Sequence, residues 1–154
     1  MELSFRLAGE ADIDLLAGLM RQFYAIDRYP FDEQIVRTAL AKLIGDHSLG
    51  RVWLINDGEA AIGYIVLTFS YSLEFHGRDA FVDEFFVQAG DRGRGVGTQA
   101  MQFVDEACRE LGVQALHLEV ERANVAAQAL YRKFGFADHD RYLMTKWFTR
   151  SICN

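Results

Sequence analysis

The stretch Asp91-Arg92-Gly93-Arg94-Gly95-Val96-Gly97-Thr98 decides the fold of this chain. It lies between an apolar run, residues 81–87, and a run with helical periodicity, residues 96–111. A strand that ends in a glycine turn and leads directly into a helix points several unpaired backbone N–H groups at one place. The positive end of the helix dipole adds to their attraction for an anion, and glycine allows positive φ and close approach of the backbone. The stretch therefore predicts a phosphate site that holds a phosphorylated cofactor.

Size and composition limit what the chain can be. With 154 residues, a net charge of −6 and 51% hydrophobic residues, it is long enough for one domain with a substantial core. No apolar run reaches the ~20 residues that a membrane helix requires, and an acidic chain has no general attraction for nucleic acid. Two cysteines, Cys108 and Cys153, are too few for a disulfide framework and favour a reducing compartment. We therefore expect a single cytoplasmic domain, residues 1–154, that binds neither nucleic acid nor a membrane.

Hydrophobic periodicity predicts the order of the elements. Strands are predicted where apolar residues alternate or run together: 3–7, 51–55, 60–69, 81–87, 116–120 and 142–148. Helices are predicted where apolar residues recur at helical spacing: 13–24, 35–43, 96–111 and 125–131. Asp57-Gly58 predicts a hairpin turn, residues 70–78 a polar loop, and Asp32 and Asn124 are suited to cap their helices. This order predicts an α+β domain whose middle is a meander of antiparallel strands.

Two familiar phosphate loops fit the turn only in part. A Walker A loop ends in Gly-Lys-Ser/Thr, whereas Gly97 is followed directly by Thr98, so that alternative fails. Residues 95–100 satisfy the dinucleotide pattern G-x-G-x-x-A, and Glu119 follows about twenty residues later. The dinucleotide fold needs repeated βαβ units, however, and the hairpin before residue 81 provides no crossover helix. The dinucleotide interpretation therefore fits the turn but not its surroundings.

In a third interpretation, the turn and its surroundings resemble the acetyl-CoA site of the GNAT (Gcn5-related N-acetyltransferase) family. Residues 92–97 meet the family pattern Gln/Arg-x-x-Gly-x-Gly/Ala, and they follow an acidic and aromatic strand, Val82-Asp83-Glu84-Phe85-Phe86-Val87. Asn124, then Tyr131, then Gly135-Phe136 resemble the second signature of the family. The resemblance implies the GNAT fold: a mostly antiparallel central sheet with a splay between the fourth and fifth strands, flanked by about four helices.

The resemblance implies acetyl-CoA as co-substrate and assigns residues to it. The turn would hold the pyrophosphate, and the main chain at Phe86 and Val87 would meet the pantetheine arm and the acetyl oxygen. Asn124 would both cap its helix and bond the cofactor arm. The residues assigned to the cofactor are Phe86, Val87, Arg92, Gly93, Arg94, Gly95, Val96, Gly97, Thr98 and Asn124. The four histidines show no metal-ligand spacing, so no metal is expected.

The resemblance also implies catalytic residues. Tyr131 matches the family tyrosine near the thioester sulfur, and a phenol with a pKa of ~10 can protonate a leaving thiolate. Asp83 and Glu119 match two alternative positions of the base that accepts the amine proton, and which of them acts stays open. Regular strand alternation would place Asp83 and Glu84 on opposite faces, so that only one enters the cleft, and the family match favours Asp83.

These assignments predict an N-acetyltransferase that transfers acetyl directly to a primary amine in a ternary complex, without an acetyl-enzyme. The Ser70–Asp79 loop and the acidic strand slightly favour a small cationic amine, and a protein N-terminus or lysine is the nearly equal alternative. Aromatic residues either line the acceptor side or belong to the core: Phe23, Tyr24, Tyr29 and Phe31. A non-catalytic acyl-CoA-binding module is the alternative from another class, but it would need neither Tyr131 nor the acids. The acceptor, the acyl-chain length and a homodimer are left open.

Overall fold

The computed structural model describes residues 2–149, which form a five-stranded sheet whose strands follow chain order. The strands are β1 Leu3–Leu7, β2 Gly50–Asp57, β3 Ala60–Ser72, β4 Gly77–Val87 and β5 Ala115–His117. The helices are α1 Ile13–Ile26, α2 Glu33–Gly45, α3 Val96–Glu110 and α4 Val125–Lys133. Strands β1 to β4 pair antiparallel, and β5 lies parallel to β4. This mixed architecture confirms the predicted fold class.

Two apolar cores lie on opposite faces of the sheet because side chains alternate along each strand. On one face, α3 packs through Val96, Met101 and Val104 against Ile65 and Leu67. The other face is covered by α1 and α2, and its buried side chains include Leu16, Leu19, Met20, Val36, Leu40, Leu54, Tyr64 and Phe86. Burial on both faces explains why the middles of β2 and β3 are apolar at almost every position.

The helix ends that the sequence predicts are present. The Asp32 side chain accepts a hydrogen bond from the Ile35 N–H at 3.1 Å, and the Asn124 side chain accepts one from the Ala127 N–H at 3.1 Å. Gly135 follows α4 with a φ of 91°, and such a left-handed residue ends a helix at little cost when it is glycine. The short polar side chains and glycines therefore fix where the helices begin and end.

The β3–β4 hairpin is longer than predicted. Residues 70–72 and 77–80 continue the strands, so the predicted loop over 70–78 shrinks to 73–76. The Ser70 hydroxyl donates to Asp79 Oδ1 at 2.6 Å, and His117 Nε2 lies 3.1 Å from Asp79 Oδ2. Asp79 is only 6% exposed, and both of its carboxylate oxygens have partners. These bonds allow polar residues to continue strands that composition alone assigns to a loop.

The C-terminal part of the fold differs most from the prediction. Strand β5 covers Ala115–His117 rather than 116–120. The prediction of a strand over 142–148 is wrong for this structure, because residues 137–149 form neither helix nor strand. A strand needs a neighbour for its backbone hydrogen bonds, and no described residue pairs with this segment.

Candidate active site

The turn between β4 and α3 presents a row of free backbone donors. Gly93 and Gly95 have φ values of 74° and 81°, in the left-handed region that favours glycine. Gly95 is the N-cap of α3, and no backbone carbonyl of the described residues accepts a hydrogen bond from the N–H groups of residues 93–98. These donors lie at the positive end of a 15-residue helix. The geometry is that of an anion site.

The side chains of the two arginines stabilise the turn through hydrogen bonds. Arg92 Nε donates to the Val87 carbonyl at 2.8 Å and thereby ties the turn to the end of β4. Arg94 donates to Asp91 at 3.1 Å and to Asp57 at 3.3 Å. Because Arg94 is already paired with two carboxylates, the backbone donors provide more of the attraction for phosphate than this guanidinium does.

Helices α3 and α4 approach each other beside the turn. A Cβ placed on Gly97 would stand 2.9 Å from Leu130 Cδ2, which shows how closely the two helices approach here. The contact brings α4, with Asn124 at its start and Tyr131 near its end, next to the anion site. The two sequence signatures therefore meet in the fold although they are far apart in the chain.

The edge of β4 that faces β5 is open over much of its length. Strand β5 pairs with residues 79–81 only, and it ends at His117. Residues 82–87 of β4 therefore have no strand beside them on this edge among the described residues. This opening is the splay that the fold class predicts between the fourth and fifth strands, and it leaves main-chain groups accessible for a ligand.

The main chain of Val87, and not that of Phe86, faces the opening. The N–H of Gln88, the next residue, donates to the Ile62 carbonyl on β3 at 2.8 Å. Since main-chain groups alternate in direction along an antiparallel strand, those of Val87 point away from β3. The Phe86 carbonyl points towards β3, where a Cβ on Gly63 would stand only 2.1 Å from its oxygen. Of the two residues predicted to contribute main-chain groups, only Val87 directs them into the opening.

A β-bulge changes how the acidic pair of β4 is presented. The register between β3 and β4 shifts opposite residues 66 and 67, and Asp83 is left without a partner in the ladder. Such a bulge breaks regular alternation. Burial, and then the charges of both Glu84 and Asp83, raise the pKa of Tyr24 and of Tyr64. Both charges therefore act on the same pair of phenols, and the bulge interrupts the regular alternation from which the separation of Asp83 and Glu84 onto opposite faces was predicted.

Glu84 and Asp83 have different surroundings. Glu84 accepts hydrogen bonds from the Tyr24 hydroxyl at 2.6 Å and from the Tyr64 hydroxyl at 2.7 Å, so it links α1 to the sheet. Asp83 is an exposed residue as a whole, and its carboxylate has no hydrogen-bond partner among the described residues. Desolvation by the surrounding protein raises the pKa of Asp83 above its ordinary value. Asp83 is thus the acid of the pair that is free to take a proton.

Aromatic side chains from α1 and the following loop form a wall beside these acids. Phe23 stacks on Phe86 with a centroid distance of 5.5 Å. Tyr24 lies edge-on to Tyr29 at 6.0 Å and to Phe31 at 5.7 Å. The sequence alone did not decide whether these residues belong to the core or to the site, and it did not predict the hydrogen bond that joins Tyr24 to Glu84. The signal in the sequence was the acidic pair Asp83-Glu84 within the otherwise apolar run of residues 81–87.

Tyr29 belongs to this aromatic wall and is also influenced by carboxylates of other segments. Its side chain is 49% exposed. Burial raises the pKa of Tyr29, and so do nearby carboxylates, which are Asp27, Glu121, Glu119 and Glu84. Glu84 belongs to β4 and Glu119 to the chain beyond β5, and both charges contribute to the raised pKa of Tyr29. The opening is acidic and aromatic.

Tyr131 lies on the other side of β5. Its ring meets Phe136 edge-on at 5.8 Å, and burial raises its pKa. Tyr131 and Glu119 both line a cavity of about 810 Å³ between β5, α4 and the chain that follows α4. The structure thus brings these two predicted residues into one cavity, whereas Asp83 does not line it.

Residues 2–149 contain no group of three or more His, Cys, Asp or Glu side chains arranged to hold a metal ion. In that same range, no helix is both long enough and apolar enough to cross a membrane.

Comparison with known sequences identifies the class of protein. The sequence pattern of the Acetyltransferase (GNAT) family matches residues 14–136, from α1 to just beyond α4. The match includes the glycine turn, the open edge of β4 and Tyr131. The chain belongs to the acetyltransferase (GNAT) family.

Individual relatives share part of the chain. The uncharacterized N-acetyltransferase YdgE of Bacillus subtilis is 36% identical over 94 residues, which are 60% of this chain and 58% of that protein. The thialysine N-epsilon-acetyltransferase of Bos taurus is 32% identical over 81 residues, 53% of this chain and 47% of that protein. The matched region spans about half the length of these curated relatives.

Solved structures resemble the whole fold. The integron cassette protein HFX_CASS3, from the mobile metagenome of Cole Harbour Salt Marsh, is 36% identical with a TM-score of 0.85, and the superposition covers 96% of this chain and 92% of that one. A predicted acetyltransferase from Clostridium acetobutylicum, solved with acetyl-CoA, superposes with a TM-score of 0.78 at 16% identity, and the superposition covers 94% of this chain and 96% of that one. At that identity the second comparison shows the fold alone.

Proposed function

We propose that this protein is an acetyl-CoA-dependent N-acetyltransferase whose acceptor is a small cationic amine. One observation carries the proposal: the free N–H row of residues 93–98 begins α3 directly beside the open edge of β4, with Tyr131 close by on α4. Membership of the GNAT family supports it. So does the presence of acetyl-CoA in one structural relative and of CoA in another, an aminoglycoside N-acetyltransferase.

The binding of acetyl-CoA would use main-chain donors. Residues 93–98 offer N–H groups to the pyrophosphate, and no backbone carbonyl among the described residues competes for them. The Val87 carbonyl already accepts from Arg92, so of the two main-chain groups of Val87 the N–H is the one that remains for the ligand. A fixed N–H donor stabilises the oxyanion that develops when an acyl group is attacked. Bound acetyl-CoA supplies the thioester that is to be cleaved.

The chemistry needs one base and one acid. Asp83 takes a proton from the acceptor ammonium, so that the neutral amine can form the new C–N bond as the C–S bond breaks. Tyr131 then gives its proton to the departing thiolate, and its raised pKa keeps the phenol protonated until that moment. Glu119, in the cavity with Tyr131, is the other candidate base.

The walls of the opening favour a positively charged acceptor. Carboxylates from β4 and from the chain after β5 raise the pKa of Tyr29, and the aromatic faces beside Tyr29 attract cations. The bovine relative, by its name, acetylates the N-epsilon amine of thialysine. A small amine with at least one further positive charge fits these surroundings better than an uncharged one.

The test is a panel of amines with acetyl-CoA, read as release of free CoA thiol. The panel includes polyamines, lysine-like amino acids, aminoglycosides and peptides with free N-termini, and uncharged amines serve as controls. We expect turnover with one or more cationic amines and a kcat/KM at least about tenfold above the uncharged controls. Binding of acetyl-CoA without turnover of any amine would instead indicate an acyl-CoA-binding module.

Asp83→Asn should lower kcat/KM about 100-fold with the best amine. A base acts when deprotonated, so activity should rise with pH through the pKa of Asp83. Because desolvation raises that pKa, the rise should lie above the ordinary range of an aspartate. The measurement is a pH profile of kcat/KM for wild type, Asp83→Asn and the matched variant Glu119→Gln. If Glu119→Gln loses the rising limb and Asp83→Asn keeps it, Glu119 is the base.

Cys108 should not react during turnover. It is 8% exposed in α3, and burial raises its pKa to about 11, so very little thiolate exists at neutral pH. We therefore expect Cys108→Ala to retain kcat within about twofold, and peptide mapping after iodoacetamide treatment of the native protein should find Cys108 unmodified. Acetylation of Cys108 in the presence of acetyl-CoA alone would contradict direct transfer in a ternary complex.

A further inference from the structure

The end of α1 is held on the sheet by a carboxylate that lies between two phenols. Glu84, on β4, accepts a hydrogen bond from the Tyr24 hydroxyl of α1 through Oε2 and one from the Tyr64 hydroxyl of β3 through Oε1. Within residues 2–149, the bond from Tyr24 is the one hydrogen bond that a side chain of α1 makes to the sheet. The ion pairs of α1 lead to α2 instead.

The other contacts between α1 and the sheet are apolar, and Phe23 on Phe86 is one of them. Apolar contacts hold a helix on a sheet, but they are not directional. A hydrogen bond to a carboxylate is short and fixes both distance and direction. The bond between Tyr24 and Glu84 therefore determines where the end of α1 lies along the sheet.

The position of Tyr24 is passed on to the loop that follows α1. The Tyr24 carbonyl accepts a hydrogen bond from the Tyr29 N–H at 2.8 Å, across the end of the helix at Asp27. Arg28, between them, has a φ of 58°, a left-handed conformation that ends a helix but is strained for a residue other than glycine. The Tyr24 ring also contacts Phe31 edge-on. The loop therefore takes its position from Tyr24.

The charges of both candidate bases act on this part of the aromatic wall. Tyr24 is bonded to Glu84, the neighbour of Asp83 in the chain. Burial and the bond to Glu84 are the main causes of the raised pKa of Tyr24, and the charge of Asp83 adds to them. Burial is the main cause of the raised pKa of Tyr29, and the charge of Glu119 contributes. An acceptor has to bring its amine to one of these bases, so the position of the wall affects how the acceptor binds.

We propose that Glu84 is a positioning residue for the acceptor: its bonds to Tyr24 and Tyr64 hold the end of α1, and with it the aromatic wall, in place beside Asp83. This proposal rests on the proposed N-acetyltransferase function. Each oxygen of Glu84 already accepts from a phenol, so Glu84 acts through its hydrogen bonds and not by attracting the amine with its charge. A neutral residue that keeps these bonds should therefore replace it.

The first test separates position from charge by steady-state kinetics with the best amine of the panel. Tyr24→Phe and Glu84→Ala should each raise the KM for the amine about tenfold, with kcat and the dissociation constant for acetyl-CoA within about twofold of wild type. The amide of Glu84→Gln can accept from one phenol and donate to the oxygen of the other, so its KM should stay within about threefold of wild type. Tyr71→Phe, at a tyrosine that is 78% exposed, is the control and should keep the wild-type KM. A wild-type KM for Tyr24→Phe, or a Glu84→Gln as impaired as Glu84→Ala, would overturn the proposal.

The second test needs no substrate, so it distinguishes a failure of this proposal from a failure of the proposed function. The Tyr29 N–H, which is bonded to the Tyr24 carbonyl, should exchange with solvent at least about fivefold faster in Tyr24→Phe and Glu84→Ala, as measured by NMR. Glu84→Gln and Tyr71→Phe should match the wild type, and the amides of α3 should keep their rates in every variant. An unchanged Tyr29 rate in Tyr24→Phe, or an equal rise throughout α3, would overturn the proposal. A wild type that acetylates no amine contradicts the proposed function alone, because the exchange rates still decide whether Glu84 holds the end of α1.

Discussion

Tyr131→Phe should lower kcat for acetyl transfer about 100-fold or more while the dissociation constant for acetyl-CoA changes less than about twofold. Phenylalanine keeps the ring that packs edge-on to Phe136 at 5.8 Å, so the substitution removes only the hydroxyl. Because burial raises the pKa of Tyr131, this hydroxyl stays protonated and can supply a proton to the thiolate at neutral pH. Without it the thiolate leaves unprotonated and transfer slows.

The measurement combines CoA thiol release with calorimetric binding of acetyl-CoA. The wild-type kcat should fall at high pH with a midpoint above the ordinary tyrosine pKa of ~10, and this fall should be absent from the variant. Tyr71→Phe is the matched control, since Tyr71 is 78% exposed on the β3–β4 hairpin. A variant that keeps the wild-type kcat with the best amine would remove Tyr131 from the mechanism.

The features that could be predicted from the sequence are those that a few neighbouring residues determine. The glycines at 93 and 95 occupy positions of positive φ, and Asn124 caps α4 with its own side chain. Alternation and helical spacing place β1 to β4 and all four helices in the right order. Each of these signals acts within about one turn of chain, so it can be recognised without knowledge of the fold.

The features that could not be predicted depend on contacts between distant residues. Glu84 bonds Tyr24 and Tyr64, which are 60 and 20 residues away along the chain. The bulge at Asp83 depends on the register with β3, which no periodicity within β4 reveals. Residues 142–148 have the composition of a strand, but a strand forms only where a neighbour accepts its hydrogen bonds. The local sequence pattern therefore fails to predict the structure at positions where the structure depends on pairing with distant residues.

Gly95→Val should weaken acetyl-CoA binding about 100-fold, which corresponds to roughly 2.7 kcal/mol. Gly95 is the N-cap of α3 with a φ of 81°, and a β-branched residue is strained there by about 1–3 kcal/mol. Relief of this strain rotates the peptide groups on either side, so the N–H groups of residues 93–98 no longer point at one place. The side chain itself meets no atom within 4 Å, so the effect comes from the backbone.

Gly90→Val provides the matched control for that prediction. Gly90 lies in the same connection between β4 and α3, a Cβ there also meets no atom within 4 Å, and its φ is outside the left-handed region. Calorimetry should therefore distinguish the two valine variants. The dissociation constant of Gly90→Val for acetyl-CoA should lie within about threefold of the wild-type value. Thermal unfolding of each variant establishes that it is folded. If folded Gly95→Val binds acetyl-CoA as tightly as Gly90→Val does, the pyrophosphate is held elsewhere than at the start of α3, because this φ is what directs the donors of the turn.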